Sequence, residues 1–387
     1  DAVEILSPLS WVSVIAIIMF MALYTKDKLL VFLVFFAFLY LAIFGQWKSS
    51  MVTLSSIIIA VPIGVIIGLF LGILSYKSEI LEKIISPILD LMQTIPVFAY
   101  LVPILVMFGF GPVAALIATI IYAMPPMVRT TLLALKNIDP QIKESGLMSG
   151  CTKRQLMWKV LIPTSKPTLM IGVNQVIMLS LNMVIIASMI GAGGLGYDVL
   201  TSLRRLNIGA GIETGVAIVV LAIALDRLSQ AFVNIKSERK KENISFISKN
   251  IRIIFLFSFI IIIYFLSNYF SFIKNFPESL VINTSDFWEN LIQYININYF
   301  DTLESIKVSL LTYFMLPIKR FLLGIPWPWF VLIISLIGWY YGRAKLAMLC
   351  LCLSLFIVFT GLWEKAMVTI YLCGSSVIIA CIIGIPL

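Results

Sequence analysis

Asp139-Pro140-Gln141-Ile142-Lys143-Glu144-Ser145-Gly146-Leu147-Met148-Ser149-Gly150, continued by Cys151 through Pro163, is a polar stretch set between apolar runs near residues 112–134 and 166–190. Asp139 can cap a helix whose first residue is Pro140, and Gly150 suits the left-handed residue that ends it. Thr152-Lys153-Arg154-Gln155 fits a capping box that starts a second short helix, closed before Pro163. The expectation is a helical hairpin in water between two membrane spans. Small residues at Ser145, Gly146, Ser149 and Gly150 leave room for another surface to approach the backbone, with Glu144, Lys153 and Arg154 as charges at its rim. An ordinary amphipathic loop is the plainer reading of that composition.

Outward from this stretch the chain is built for a bilayer. Hydrophobic residues make up 61% of 387 positions and charged residues 12%, with a mean hydropathy of +1.05, far from water-soluble domains. A spanning helix needs about 20 apolar residues, and backbone polar groups in lipid must be satisfied inside helices, so the fold class is all-α, a polytopic membrane helical bundle. Spans are expected near 9–24, 29–45, 51–75, 87–108, 112–134, 166–190, 212–234, 252–270, 328–341, 346–362 and 367–387. The chain opens on Asp1 and closes on Leu387 inside an apolar run, which reads as a fragment, and no signal peptide precedes the first span.

Charge placement orients the bundle. Lys26, Lys28, Lys77, Lys83, the cations from Arg129 to Lys166, those from Lys236 to Arg252, and Arg343 and Lys345 all fall in one alternating set of loops. That set, including 130–165, is expected to be cytoplasmic. The net charge of +9 is accounted for by this asymmetry and by anionic lipid headgroups of the bilayer, so no nucleic-acid partner is implied.

The chain also repeats itself at an offset of 316 residues: Trp11 falls on Trp327, Gly45 on Gly361, Trp47 on Trp363, Met51-Val52-Thr53 on Met367-Val368-Thr369, and Gly68 on Gly384. The expected organisation is two leading helices in 1–50 and a core bundle in 51–235 with its loop near 139–163. A linker, a helix and an external amphipathic segment follow in 236–327, and a second, truncated repeat begins in 328–387. Within 236–327, the stretch Ile306 to Leu323 reads as interfacial, because a span there would invert every later loop.

The spacing of Glu144, Ser145, Gly146, Gly150, Ile162 and Pro163 resembles the cytoplasmic EAA loop of ABC importer permeases, with Ser145 and Gly146 in place of two alanines. Asp90 through Pro96 with Phe98, Tyr100 and Pro103, then Ala123-Met124-Pro125-Pro126 with Val128 and Arg129, look like the glycine betaine/proline-type permeases. So does Gly172-Val173-Asn174-Gln175 through Ile190 to Gly193-Gly194-Leu195-Gly196. This resemblance implies a type I ABC importer permease fold in the cell inner (cytoplasmic) membrane. It further implies an ATP-binding subunit docked on the loop and an external solute-binding protein. The second permease bundle would come from the same polypeptide or from a homodimer. The solute would be a compatible one: glycine betaine, proline betaine, choline, carnitine or trimethylamine oxide.

Asn174, Met178 and Asn182 recur every four residues on one helix. Their face could line the pathway with neutral amides, or it could hold the bundle together by interhelical hydrogen bonds. Gln93 and Thr94 precede Pro96, a proline kink that could gate the pathway or be purely structural. Asp90 near the same helix needs a partner, for which Arg129 is a candidate.

Enzyme chemistry finds little support. There is no histidine, the five cysteines match no zinc spacing, and Asp226 and Arg227 do not share a helix face. Gly191-Ala192-Gly193-Gly194-Leu195-Gly196 matches a dinucleotide fingerprint in letters only, since it follows a membrane helix. No Walker A motif occurs, so ATP hydrolysis would belong to another chain, and no cofactor or metal is implied. The competing reading is an ion-gradient-driven secondary transporter, which would also carry midplane polar residues and internal repeats.

Overall fold

The computed structural model describes residues 10–25, 27–187, 190–191, 193–234, 258–259, 262–263, 265–266, 271–274 and 276–385. The expected linker 236–249 and most of the expected span 252–270 lie outside them. Among the described residues every regular element is helical, and the chain divides into two units, Asp1–Ile292 and Gln293–Leu387.

The first unit is built on α3 (Trp47–Lys77), α6 (Pro112–Lys136) and α9 (Ile162–Ala187), which pack along their lengths. Lipid gives no hydrophobic drive between helices, so close backbone approach supplies the contact. A side chain on Gly68 would come within 2.7 Å of Met127, and one on Gly72 within 2.5 Å of Thr131. A separate cluster joins α1 (Trp11–Leu23), α2 (Lys28–Ile43) and α11 (Ile208–Asn234) through Val14, Ile18, Val34, Phe38, Leu41 and Leu221.

A strap closes one end of this cluster. Trp11 Nε1 donates to the Phe272 carbonyl on α12 (Ser271–Lys274) at 3.0 Å, and the Ile282 N–H donates to the Ile43 carbonyl at 2.8 Å. The Thr284 N–H reaches Glu213 Oε1 at 3.5 Å, and Glu213 is buried. The strap crosses α11 where Gly209 leaves room for the Ser285 backbone.

The bundle departs from the sequence reading at three places. The leading helices α1 and α2 have only 13 and 16 residues, shorter than the roughly 20 that one straight span requires. Residues 87–108 are not one span. They belong to α4 (Glu79–Thr94) and α5 (Val97–Phe108), bent by 99° at Ile95–Pro96. Pro96 excludes the helical conformation at the residue before it, and Ile95 is extended at φ −68°, ψ 129°.

The second hairpin helix does not close before Pro163. Thr152 caps α8 (Lys153–Gln155), a π turn spans Leu156–Leu161, and α9 runs on through Pro163 and Pro167. Proline lacks the N–H that an α-helical bond would need, and the wider π turn absorbs the mismatch ahead of it. The expected spans 328–341 and 346–362 are two helical arms within Trp327–Phe359, separated at Gly342 and Arg343, where Arg343 has φ 54°, and folded back so that a side chain on Gly338 would come within 3.1 Å of Cys350 Sγ.

Among the described residues, α3, α6, α11 and Trp363–Gly384 are each long and apolar enough to cross a membrane as one helix, α4 with α5 is so as a bent pair, and Trp327–Phe359 is so across its break. The remaining elements are α7 (Pro140–Met148), α10 (Leu195–Arg204) and α13 (Ser285–Asn298). The second unit continues with α14 (Phe300–Ser309), a π turn over Leu310–Met315, α15 (Leu316–Gly324), α16 (Trp327–Phe359) and α17 (Trp363–Gly384). Within the stretch expected to be interfacial, Ile306, Leu310, Tyr313 and Phe321 are exposed.

Candidate functional site

The hairpin forms as its caps dictate. Asp139 Oδ1 accepts from the Gln141 N–H at 2.9 Å, with Pro140 next, where a missing N–H costs nothing. At the other end the Gly150 N–H donates to the Leu147 carbonyl at 3.0 Å and the Cys151 N–H to the Gly146 carbonyl at 3.2 Å. Gly150 sits at φ +76°, so the closure is a Schellman motif. Thr152 and Gln155 complete the reciprocal capping box at 2.9 and 3.3 Å.

The hairpin is anchored to the ends of α3 and α6. Leu156, Met157 and Leu161 bury against Ile73 and Leu135. Gly146, read as part of an outward surface, is buried instead, and a side chain there would come within 2.6 Å of Leu156 Cδ1. It seats the two hairpin arms on each other. Glu144, Ser145, Gly150, Lys153, Arg154 and Pro163 are exposed.

Beside them stand apolar groups that the sequence reading passed over: Met148 is 91% exposed, Trp158 54% and Leu147 49%. Their signal is the helical period, since Glu144, Leu147 and Met148 lie at i, i+3 and i+4 on one face of α7. Exposed apolar groups on the same hairpin as the exposed charges Glu144, Lys153 and Arg154 have the composition of a surface suited to a protein partner rather than that of a small-molecule pocket.

The arm α4 reaches back across α6 through ion pairs. Arg129 pairs with Asp90, as the sequence suggested, and Lys136 Nζ lies 2.6 Å from Glu82 Oε1. Only Leu89 of α4 is buried. Gln93, Thr94 and Pro96 are exposed at the break, and Thr94 Oγ1 donates to the Asp90 carbonyl at 3.0 Å.

On α9 the polar face divides. Met178 and Asn182 are exposed, whereas Asn174 is half-buried and its Oδ1 has no hydrogen-bond partner among the described residues. Residues four apart advance 40° beyond a full turn, so the three drift from the bundle wall toward its open side. Near Ile190 the glycine-rich run packs on the α5–α6 turn, where the Gly111 N–H donates to the Ile190 carbonyl at 3.0 Å. The Leu195 N–H donates to Thr53 Oγ1 at 3.1 Å. The described part of the run is thus a packed turn between helices, and its Leu195 N–H serves the protein itself.

Residues 64–242 match the family described as "Binding-protein-dependent transport system inner membrane component". The Trimethylamine N-oxide transport system permease protein TmoV of Pelagibacter ubique is 38% identical over 356 residues, 89% of this chain and 49% of that protein. The Glycine betaine/proline betaine transport system permease protein ProW of Escherichia coli is 48% identical over 187 residues, 48% of this chain and 53% of that protein. The Glycine betaine transport system permease protein OpuAB of Bacillus subtilis is 41% identical over 203 residues, 52% of this chain and 71% of that protein. The chain spans about half the length of TmoV and ProW.

Proposed function

We propose, for a chain that belongs to the family of binding-protein-dependent transport system inner membrane components, that it forms the membrane pathway of an ATP-driven importer in the inner membrane. The observation that carries this reading is the hairpin. It is braced from below by Leu156, Met157 and Leu161 and bears an outward face of Glu144, Leu147 and Met148. An ATP-binding subunit of its own chain would seat on that face and drive the bundle through α7 and the helix continuous with α9. The rigid joint matters, because a push on the hairpin is transmitted only if the hairpin cannot swing freely; Gly146 against Leu156 is that joint.

The solute is a small methylated amine or betaine delivered by an external binding protein, and trimethylamine N-oxide is the first to try. Similarity to the trimethylamine N-oxide permease runs through 356 residues, whereas that to the betaine permeases is confined to about the core bundle. Neutral groups suit such a cargo: Asn182, Gln93 and Thr94 can exchange hydrogen bonds with an oxide or carboxylate without holding it as a charge would.

Uptake into proteoliposomes containing the permease, its ATPase and its binding protein tests both parts. Met148→Asp places a charge in the docking face and removes about 1.5–3 kcal/mol of apolar burial. It should lower ATP-driven uptake by about tenfold or more and release the ATPase during purification. Glu144→Lys should act in the same direction. Unchanged uptake and co-purification in both variants would reject the docking role, and uptake without ATP would reject the importer class.

A further inference from the structure

The stretch Met51-Val52-Thr53 recurs as Met367-Val368-Thr369, and the backbone leading into it recurs as well. Gly45 and Gly361 share a left-handed conformation, φ +68° and +71°. The next residues, Gln46 and Leu362, cap the following helix at φ −87°, ψ 6° and φ −92°, ψ 9°. Trp47 and Trp363 then open it. Within its first two turns Thr53 Oγ1 donates to the Ser49 carbonyl at 3.0 Å, and Thr369 Oγ1 to the Lys365 carbonyl at 2.8 Å. The two helix starts are built alike, down to one side-chain hydrogen bond.

They differ in what lies beside the threonine. In the first copy the Gly193-Gly194-Leu195 turn fills the place. The Leu195 N–H donates to Thr53 Oγ1 at 3.1 Å. A side chain on Gly194 would come within 2.6 Å of that oxygen and 3.3 Å of the Ser49 carbonyl, and one on Gly193 would lie 3.7 Å from Val52. Thr53 is accordingly buried.

In the second copy the corresponding positions, Lys365, Val368 and Thr369, line an open cavity of about 600 Å³ with Glu364 and, from α15, Lys319 and Leu323. Thr369 is exposed. Its hydroxyl proton is committed to Lys365, but a hydroxyl oxygen accepts as well as donates, and no N–H fills that role among the described residues.

We propose that this cavity is the seat for a glycine-rich turn of a second permease bundle. The first copy defines the occupant's chemistry. It has a glycine with φ near +78°, because any side chain would strike the threonine oxygen. It then has a residue whose backbone N–H is free to reach that oxygen. The turn Gly193–Leu195 cannot serve, since Thr53 already holds it. Lys365 stands where the first copy has Ser49, and the Ser49 atom nearest to a side chain on Gly194 is its carbonyl oxygen, which every residue carries. The inference rests on family membership and on the repeat, and is independent of the solute and of ATPase docking.

Cysteine accessibility in the assembled transporter, in its native membrane, is the test. With Cys151, Cys350, Cys352, Cys373 and Cys381 replaced by Ala, Thr369→Cys and, separately, Val368→Cys are treated with a membrane-impermeant maleimide. In the assembled transporter both should label at least about tenfold more slowly than in the 387-residue chain alone. Thr53→Cys should be protected in both preparations. A benzophenone placed at position 369 should retrieve a peptide containing a Gly-Gly turn that is not Gly193–Leu195. Equal labelling rates would overturn the proposal. So would a crosslink to the external binding protein, to lipid alone, or to Gly193–Leu195.

Discussion

At the scale of single residues, the glycines that matter are those with a neighbour. Gly194 has φ +78° and Thr53 Oγ1 directly where its side chain would be, whereas Gly109 has φ +73° and open space around it. Alanine at either costs about 1–3 kcal/mol, because Gly109 (φ 73°, ψ −179°) and Gly194 (φ 78°, ψ −169°) sit in a region essentially reserved for glycine, but only Gly194→Ala must also displace the hydroxyl that satisfies the Leu195 N–H. Loss of that bond leaves a buried donor unpaired, a further ~1–3 kcal/mol. Thermal unfolding in detergent should show a larger drop for Gly194→Ala than for Gly109→Ala; equal drops would mean that the Thr53 contact contributes nothing. None of this was legible from local sequence. The caps at Asp139, Gly150 and Thr152 were, because each closes by bonds between residues no more than five apart in the chain. The Leu195 to Thr53 bond spans 142 positions, and Gly146 looked like part of an outer surface because nothing nearby in the chain announces Leu156 as its neighbour.

At the scale of elements, prolines were visible but their consequences were not. Pro96 announces a bend, yet a proline kink can range from slight to complete. The 99° break depends also on what holds α4 across α6, namely the Arg129–Asp90 and Lys136–Glu82 pairs. Exposed pairs of this kind contribute only ~0–1 kcal/mol each, so the backbone restriction should dominate. Pro96→Ala restores an N–H and frees Ile95 to become helical. Spin labels at Ile84 and Val106, both exposed, should then move apart as α4 and α5 straighten, and uptake should fall. An unchanged distance would assign the break to the ion pairs instead. Pro163 shows the opposite outcome: it looked like a stop signal, but the π turn at Leu156–Leu161 re-registers the bonds and lets the helix pass. Widening a turn is favourable there because Leu156, Met157 and Leu161 are buried by the same rotation. Burial of that sort is set by α3 and α6, far away in sequence.

At the scale of the molecule, the all-helical membrane architecture was plain from the long apolar runs, since an unbroken apolar stretch of about 20 residues suits a spanning helix rather than a barrel strand of alternating polarity. The pathway was not, because a permease bundle presents one wall of a channel and its polar residues read alike whether they face solute or another helix. The structure separates two of them. Asn174 has a buried oxygen without a hydrogen-bond partner among the described residues, whereas Asn182 is exposed. Exposure is the observation behind our proposal that Asn182 meets the passing solute on this wall. Asn182→Leu should leave the unfolding temperature nearly unchanged, as surface substitutions within ~0.5 kcal/mol do. It should slow uptake about fivefold, the loss of one hydrogen bond of ~1 kcal/mol at the rate-limiting step. Asn174→Leu should do the reverse, preserving or raising stability by removing an unsatisfied buried oxygen while leaving solute passage almost intact. Measuring both variants in the same proteoliposomes separates lining from packing: a stability loss at Asn182 with normal uptake would place that residue in an interface between bundles and move the pathway to the Gln93 and Thr94 side of the break.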